Sequence, residues 1–396
     1  MITAQSPIWR RAPSPQLWLA VGGVAVTAAV LAASNLSYDL PLRDLVRVSG
    51  PARIILIAAA AAVLLTTGLA PHRIGRWELL GAGLGAVGAM AVLVAITDPL
   101  VVALLLILIG FGWATRRGGR PLAIRVRGPA FAALLLGVGW TFHGTSTPEW
   151  LGRAAALTLA LSLVAAAGLF PYLQHVDPDE PASNSYLAWT GFFAPALALT
   201  LPYRLLPALT PHQATVFGAT LVGLGLLNLG WGVVGAWRTE TETEAWRCSF
   251  LADWGLVMVG TGLFQPEGFA AAYLALLAIV LVRLPLYLWA RPALLRRESP
   301  AVRGSVSVLI AVLLAGAAPF SGFPVRLLLL QAATRTGWPL ALLLLVGMVL
   351  WIAHSLRLAR TVGAPRGRSA LGLWLTVVIS LVLGIFSGTI RAVAGL

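Results

Sequence analysis

The stretch that decides the fold is residues 316–339, GAAPFSGFPVRLLLLQAATRTGWP, in which glycines and prolines interrupt an apolar segment. Proline removes a backbone N–H that a helix interior needs, and glycine adopts backbone conformations that other residues avoid. The run therefore predicts a broken helix, with 320–335 as its second half. Backbone breaks at membrane depth are tolerated only where protein or a water-filled cavity surrounds them.

A second proline-rich segment, 171–207, occupies the corresponding place in the first half of the chain. Paired interrupted segments of this kind are typical of inverted repeats with a transport path at the breaks. Ordinary proline kinks, which membrane helices tolerate, are the alternative. The prolines of this segment are Pro171, Pro178, Pro181, Pro195, Pro202 and Pro207.

The composition places these breaks in a membrane protein. Of 396 residues, 59% are hydrophobic and 11% charged, and the mean hydropathy is +0.87, whereas a soluble domain carries about 25% charge. A soluble enzyme, a disordered tail and a secreted disulfide scaffold are thereby excluded. Since a spanning helix needs about 20 apolar residues, we predict an all-α polytopic membrane protein of about 13–14 transmembrane helices. The candidate spans are 17–33, 52–70, 79–97, 99–115, 129–145, 154–172, 186–206, 213–237, 248–265, 268–290, 305–319, 338–361 and 369–390.

The chain is expected to form one membrane domain. Residues 1–78 supply N-terminal transmembrane helices, and 79–396 contain inverted repeats at approximately 79–237 and 248–361. All 28 basic residues are arginine and the net charge is +14, which favours cytoplasmic loops over nucleic-acid binding. We therefore expect a multi-pass protein of the cell inner (cytoplasmic) membrane, with the lipid bilayer as its first partner.

Four stretches carry a recognisable pattern. They are YLQHVDPDEPASNS (172–185), AWRTETETEAWRCSFLADWG (236–255), PEGFAAA (266–272) with VRLPLYL (282–288), and APFSGFPVRLLLLQAA (318–333). In this order they resemble the antiporter-like subunits of respiratory complex I (NADH:quinone oxidoreductase), Mrp antiporters and membrane-bound hydrogenases. The family's Pro-Glu-Gly and Ser-Gly-Phe elements are intact in the third and fourth stretches, and the resemblance covers roughly 80–390.

The resemblance implies proton or sodium translocation coupled to electron transfer, along a polar axis of glutamate, lysine and histidine. This chain departs from that axis. The span 99–115 holds no Asp or Glu, and three positions where the family has lysine, lysine and histidine are Ala194, Thr243 and Ile279. Two further family lysines become Arg283 and Arg326, and arginine, with a pKa above about 12, is not deprotonated in proteins. Conduction through this chain is therefore expected to be impaired.

The ion-pathway candidates are Arg283, Arg326, His354 and Asp253. Asp253 and Arg283 lie at similar depth in successive antiparallel spans, so we hypothesise that they pair. The alternatives are a helix-end cap for Asp253, interfacial snorkelling for Arg283 or Arg326, and a satisfied buried histidine for His354.

No catalytic or metal-binding motif appears in the sequence, and we expect no cofactor in this chain. Flavin, haem or iron–sulfur centres would sit on partners, which the resemblance implies are other antiporter-like membrane subunits and redox subunits. The acidic run Glu240, Glu242 and Glu244 reads as a solvated loop or a subunit contact. The functional alternatives are a stand-alone anion transporter, with the two arginines as ligands, and a polytopic lipid-phosphate-handling membrane enzyme.

Overall fold

The computed structural model describes residues 15–35, 48–69, 76–115, 122–144, 148–171, 202, 204–296, 304–362 and 367–395. Within these ranges the secondary structure is helical, which confirms the predicted all-α class. The helices are α1 Pro15–Asn35, α2 Gly50–Leu69, α3 Arg76–Ala95, α4 Pro99–Thr115, α5 Leu122–Thr141, α6 Glu149–Ala166, α7 Pro211–Arg238, α8 Glu242–Gly262, α9 Pro266–Ala278, α10 Leu284–Arg296, α11 Ser305–Leu314, α12 Gly322–Thr336, α13 Trp338–Val362, α14 Arg368–Ile385 and α15 Ser387–Ala394. A π-helical segment, Ile279–Arg283, joins α9 to α10.

The apolar character of these helices fits a bilayer. Among the described residues, six helical stretches are long and apolar enough to cross a membrane, and five shorter apolar helices accompany them. Large apolar side chains such as Leu343, Val346 and Leu350 on α13 are exposed, as expected of side chains that face lipid. The six long stretches are Gly50–Leu69, Glu149–Ala166, Pro211–Arg238, Pro266–Ala290, Trp338–Val362 and Arg368–Ile385.

Glycines bring α7 and α8 into close contact. A Cβ added at Gly225 would lie 2.8 Å from the Gly255 carbonyl oxygen, and one added at Gly255 would lie 2.6 Å from the Gly225 carbonyl oxygen. Small residues permit such backbone approach in membrane interfaces, where dispersion forces replace the hydrophobic effect. The close packing fixes α8, and with it Asp253, against the rest of the bundle.

The interruption predicted in 316–339 is present. Helix α11 ends at Leu314 and α12 begins at Gly322, so residues 315–321 form the break. Gly316 adopts φ +66°, and the Gly316 and Ala317 amides donate to the Leu313 and Val312 carbonyls at 3.0 and 3.2 Å. This left-handed glycine ends α11 as in a Schellman motif.

Helix α6 ends in the same way. Gly168 also has φ +66°, and the Gly168 and Leu169 amides donate to the Ala165 and Val164 carbonyls at 3.0 and 3.1 Å. Each glycine is followed three residues later by a proline, Pro171 or Pro319, and both prolines follow cis peptide bonds. The two interrupted segments therefore begin with the same kind of helix ending. Most of the first interruption, 172–201 and residue 203, lies outside the described residues, so the repeat boundaries stay a prediction.

The structure corrects two expectations about the region before Asp253. The predicted span 248–265 belongs to a helix that begins at Glu242. The solvated-loop interpretation is therefore wrong for Glu242 and Glu244, which lie in the first turn of α8 and pair with Arg357 and Arg247 at 2.8 Å each. Acidic side chains are favourable there because a helix N-terminus carries partial positive charge.

Candidate functional site

The Asp253–Arg283 pair predicted from the sequence is present in the structure. Arg283 Nε lies 2.5 Å from Asp253 Oδ2, and Arg283 Nη2 donates to Asp253 Oδ1 at 3.1 Å. The two side chains are only 8% and 18% exposed. Two contacts from one guanidinium to one carboxylate are the strongest geometry available to an ion pair.

Local structure explains how these two residues meet. Asp253 lies 11 residues after the start of α8 and 9 before its end, so it is near the middle of the helix and the helix-end-cap alternative is wrong. Arg283 is the last residue of the π-helical segment, which adds a residue to the turn and reorients the side chains that follow. Arg283 is buried rather than snorkelling to the interface.

The carbonyl at the broken end of α11 belongs to the same cluster. Leu314 is the last residue of α11, and its carbonyl oxygen accepts from Arg283 Nη2 at 3.4 Å and from Trp351 Nε1 at 3.2 Å. The last carbonyls of a helix lack partners within the helix and carry partial negative charge. Arg283 therefore connects α8 to the interruption of the α11–α12 segment.

Trp351 is a site residue that the sequence reasoning missed. Arg283 Cζ lies 5.4 Å from the centroid of its ring, a cation–π distance. Tryptophan is enriched at membrane interfaces, and Trp237 and Trp338 are exposed, whereas Trp351 is buried. In the sequence, Trp351 lies near the middle of the apolar span 338–361, and this position could have indicated that it is not an interfacial tryptophan.

A cavity of about 50 Å³ lies beside the ion pair. Asp253, Arg283, Ser321 and Arg326 supply its polar wall. A site of this size accommodates about three to five water-sized spheres, since each needs roughly 10–15 Å³. Arg326 thus faces the cavity from the first turns of α12, and the interfacial-anchor interpretation does not fit its position.

His354 does not line this cavity. It is buried on α13, with Trp237 at 5.1 Å and Trp351 at 5.5 Å between ring centroids. Its Nε2 atom has no hydrogen-bond partner among the described residues. The structure therefore brings together Asp253, Arg283 and Arg326, whereas His354 lies on the other side of Trp351. A role of His354 as a proton carrier stays a prediction.

Ser321 and Ser380 complete the surroundings. Their hydroxyls lie 3.0 Å apart, and the Ser321 amide donates to Ser380 Oγ at 3.3 Å. This contact fixes the start of α12 against α14. Within the described part of the chain, no group of three or more His, Cys, Asp or Glu side chains has the arrangement of a metal site.

Several solved structures share this fold. A chain of the membrane-bound sulfane sulfur reductase, an archaeal respiratory membrane complex, matches with a TM-score of 0.67 and 18% identity, over 95% of this chain and 73% of that chain. A chain of respiratory complex I from Thermus thermophilus matches with a TM-score of 0.69 and 17% identity, over 96% and 93%. A chain of the Mrp complex from Dietzia sp. DQ12-45-1b matches with a TM-score of 0.70 and 18% identity, over 96% of this chain and 48% of that one.

No family model and no curated protein match the chain. At the identities above, likeness to the solved structures establishes the fold. The chain is a polytopic all-α membrane protein. Its fold is that of the antiporter-like membrane subunits which its sequence motifs resemble.

Proposed function

We propose that this chain is an antiporter-like membrane-arm subunit of a multi-subunit translocase, in which its own polar axis conducts protons or sodium weakly or not at all. The observation that carries the proposal is the closed Asp253–Arg283 pair within a fold that matches such subunits over nearly the whole chain. Other membrane subunits are its partners, and electron-transfer subunits supply any redox chemistry. The membrane is the cytoplasmic one.

The charges of the pair explain the weak conduction. A relay residue must take up and release a proton in each cycle, and arginine does not do so. Asp253 can take up a proton only by giving up its contacts with Arg283 and leaving that cation buried. Breaking a buried pair costs about 3–5 kcal/mol, which would slow a relay step by roughly two to four orders of magnitude.

The contacts suggest what the site does instead. Arg283 holds Asp253 of α8, the Leu314 carbonyl of α11 and the ring of Trp351 on α13 at the same time. A displacement of any of these helices therefore moves the others. We infer that the cluster transmits conformational change between the interrupted helix and the neighbouring subunits.

Purification from native membranes in a mild detergent tests the assembly. The full chain should co-purify with other polytopic membrane subunits in a stable stoichiometry. Recovery of the chain alone, as a monomer with anion-transport or lipid-modifying activity, would contradict the proposal and support one of the alternatives.

Proton flux in liposomes tests conduction separately. Liposomes that contain the purified assembly should show the same flux with wild-type protein and with His354→Ala, because no complete relay runs through this chain. His212→Ala is the matched control, since His212 lies exposed at the start of α7 and pairs with Glu149 at 3.0 Å. Flux that vanishes in His354→Ala and persists in His212→Ala would overturn the claim of impaired conduction.

A further inference from the structure

The cavity beside the ion pair carries more positive than negative charge. Arg283 and Arg326 face one carboxylate, that of Asp253. Asp253 is already engaged by Arg283, and no described acidic side chain forms an ion pair with Arg326. Inside a membrane an uncompensated guanidinium is costly, and arginine cannot become neutral to avoid that cost.

Each partner of the ion pair keeps one buried atom without a hydrogen-bond partner in the described part of the structure. These atoms are Arg283 Nη1, a donor, and Asp253 Oδ2, which lies 2.5 Å from Arg283 Nε. The first turn of α12 forms another wall through Gly322 and Val325. No side chain of the described residues caps this helix start. The Phe323 amide donates to the Phe320 carbonyl at 3.0 Å and Pro324 has no N–H, so the helix start contributes the partial positive charge of its dipole.

We propose that the cavity binds one small monovalent anion, of the size of chloride, between Arg283, Arg326 and the first turn of α12. The anion accepts from Arg283 Nη1 and from the Arg326 guanidinium, and it balances the excess cation. Water alone would satisfy the donors but would leave the charge uncompensated. A volume of about 50 Å³ is sufficient for a monatomic anion, and the binding experiment distinguishes it from phosphate or a lipid headgroup. This inference does not depend on whether the chain conducts ions or on its partners.

Equilibrium binding of radioactive chloride tests the site. The full chain, with any subunits that co-purify, is placed in nanodiscs of zwitterionic lipid in gluconate buffer. One saturable site per chain is expected, with bromide competing and inorganic phosphate not competing. The absence of saturable chloride binding would overturn the proposal, as would displacement of bound chloride by inorganic phosphate.

Variants of the two arginines of α12 distinguish the cavity from the surface. Arg326→Gln should weaken chloride binding about tenfold or more, because it removes a charged donor. Arg335→Gln is the matched control, since Arg335 is half-exposed and pairs with Glu267 at 2.6 Å. It should bind as wild type does.

Two further variants extend the test. Arg326→Lys retains the charge and should retain saturable binding, so it keeps the test decisive if Arg326→Gln folds poorly. Asp253→Asn raises the positive excess and should tighten chloride binding in the protein that stays folded, although loss of the carboxylate lowers its stability. Equal affinity in wild type, Arg326→Gln and Asp253→Asn would show that chloride binds elsewhere and would refute the assignment.

Discussion

Removal of one partner of the Asp253–Arg283 pair is the sharpest test of how the site is held together. Asp253→Asn preserves the size of the side chain and removes its charge, so Arg283 and Arg326 remain in the cavity wall without a carboxylate. The closest atoms are 2.5 and 3.1 Å apart. Charges about 4 Å apart attract by about 4 kcal/mol at an effective dielectric constant of about 20. Since an unpaired buried charge is left behind, we expect the free energy of unfolding to fall by about 3–5 kcal/mol.

The double variant Asp253→Asn with Arg283→Gln supplies the decisive comparison. It removes both charges, so its loss of stability should be smaller than the sum of the two single losses by about 2–4 kcal/mol. The assay is equilibrium unfolding in mixed micelles, followed by the fluorescence of the tryptophans.

An exposed ion pair on another helix provides the matched control. Glu149 and Arg153 on α6 lie 2.6 Å apart but are 66% and 50% exposed, so Glu149→Gln should cost less than about 1 kcal/mol. Additive effects of the Asp253 and Arg283 substitutions would refute the reasoning. So would equal losses in Asp253→Asn and Glu149→Gln.

Three further predictions concern the contacts that hold the site in place. Arg357→Gln removes an ion pair and two hydrogen bonds to the carbonyls that end α7. It should lower the free energy of unfolding by about 1–3 kcal/mol, whereas Arg360→Gln, exposed on the same helix, should change it little; equal losses would contradict this role. Gly225→Ala introduces a methyl group 2.8 Å from backbone atoms of α8 and should cost about 1–3 kcal/mol, whereas Gly230→Ala, with open space at its Cβ position, should be neutral or gain up to about 1 kcal/mol. Trp351→Phe keeps an aromatic ring beside Arg283 but loses one hydrogen bond, so a loss of about 0.5–1.5 kcal/mol is expected; a loss as large as that of Asp253→Asn would mean that the tryptophan, not the ion pair, dominates the site. Unfolding in mixed micelles measures all of these changes.

The sequence predicted the membrane class and the interruption of the α11–α12 segment because both depend on local properties. Apolar runs of sufficient length favour spanning helices, and closely spaced glycine and proline end a helix wherever it lies. Asp253 and Arg283 were predicted to pair because two charges of opposite sign within successive antiparallel spans have few other partners in an apolar environment. The sequence also showed that arginine replaces lysine at positions 283 and 326. It therefore showed that these two positions lack a side chain that can release its proton.

Tertiary structure decided the parts of the site that depend on contacts between distant residues. The depth of Asp253 followed from the start of α8 at Glu242, which the predicted span placed too late. The Leu314 carbonyl and Trp351 are 37 residues apart, and no periodicity in the sequence indicates that they meet at Arg283. The cavity arises because the π-helical segment, the end of α11 and the start of α12 leave space between them. Hydropathy and helix-breaking residues act along the chain, whereas a pocket and its net charge exist only where separate helices pack together.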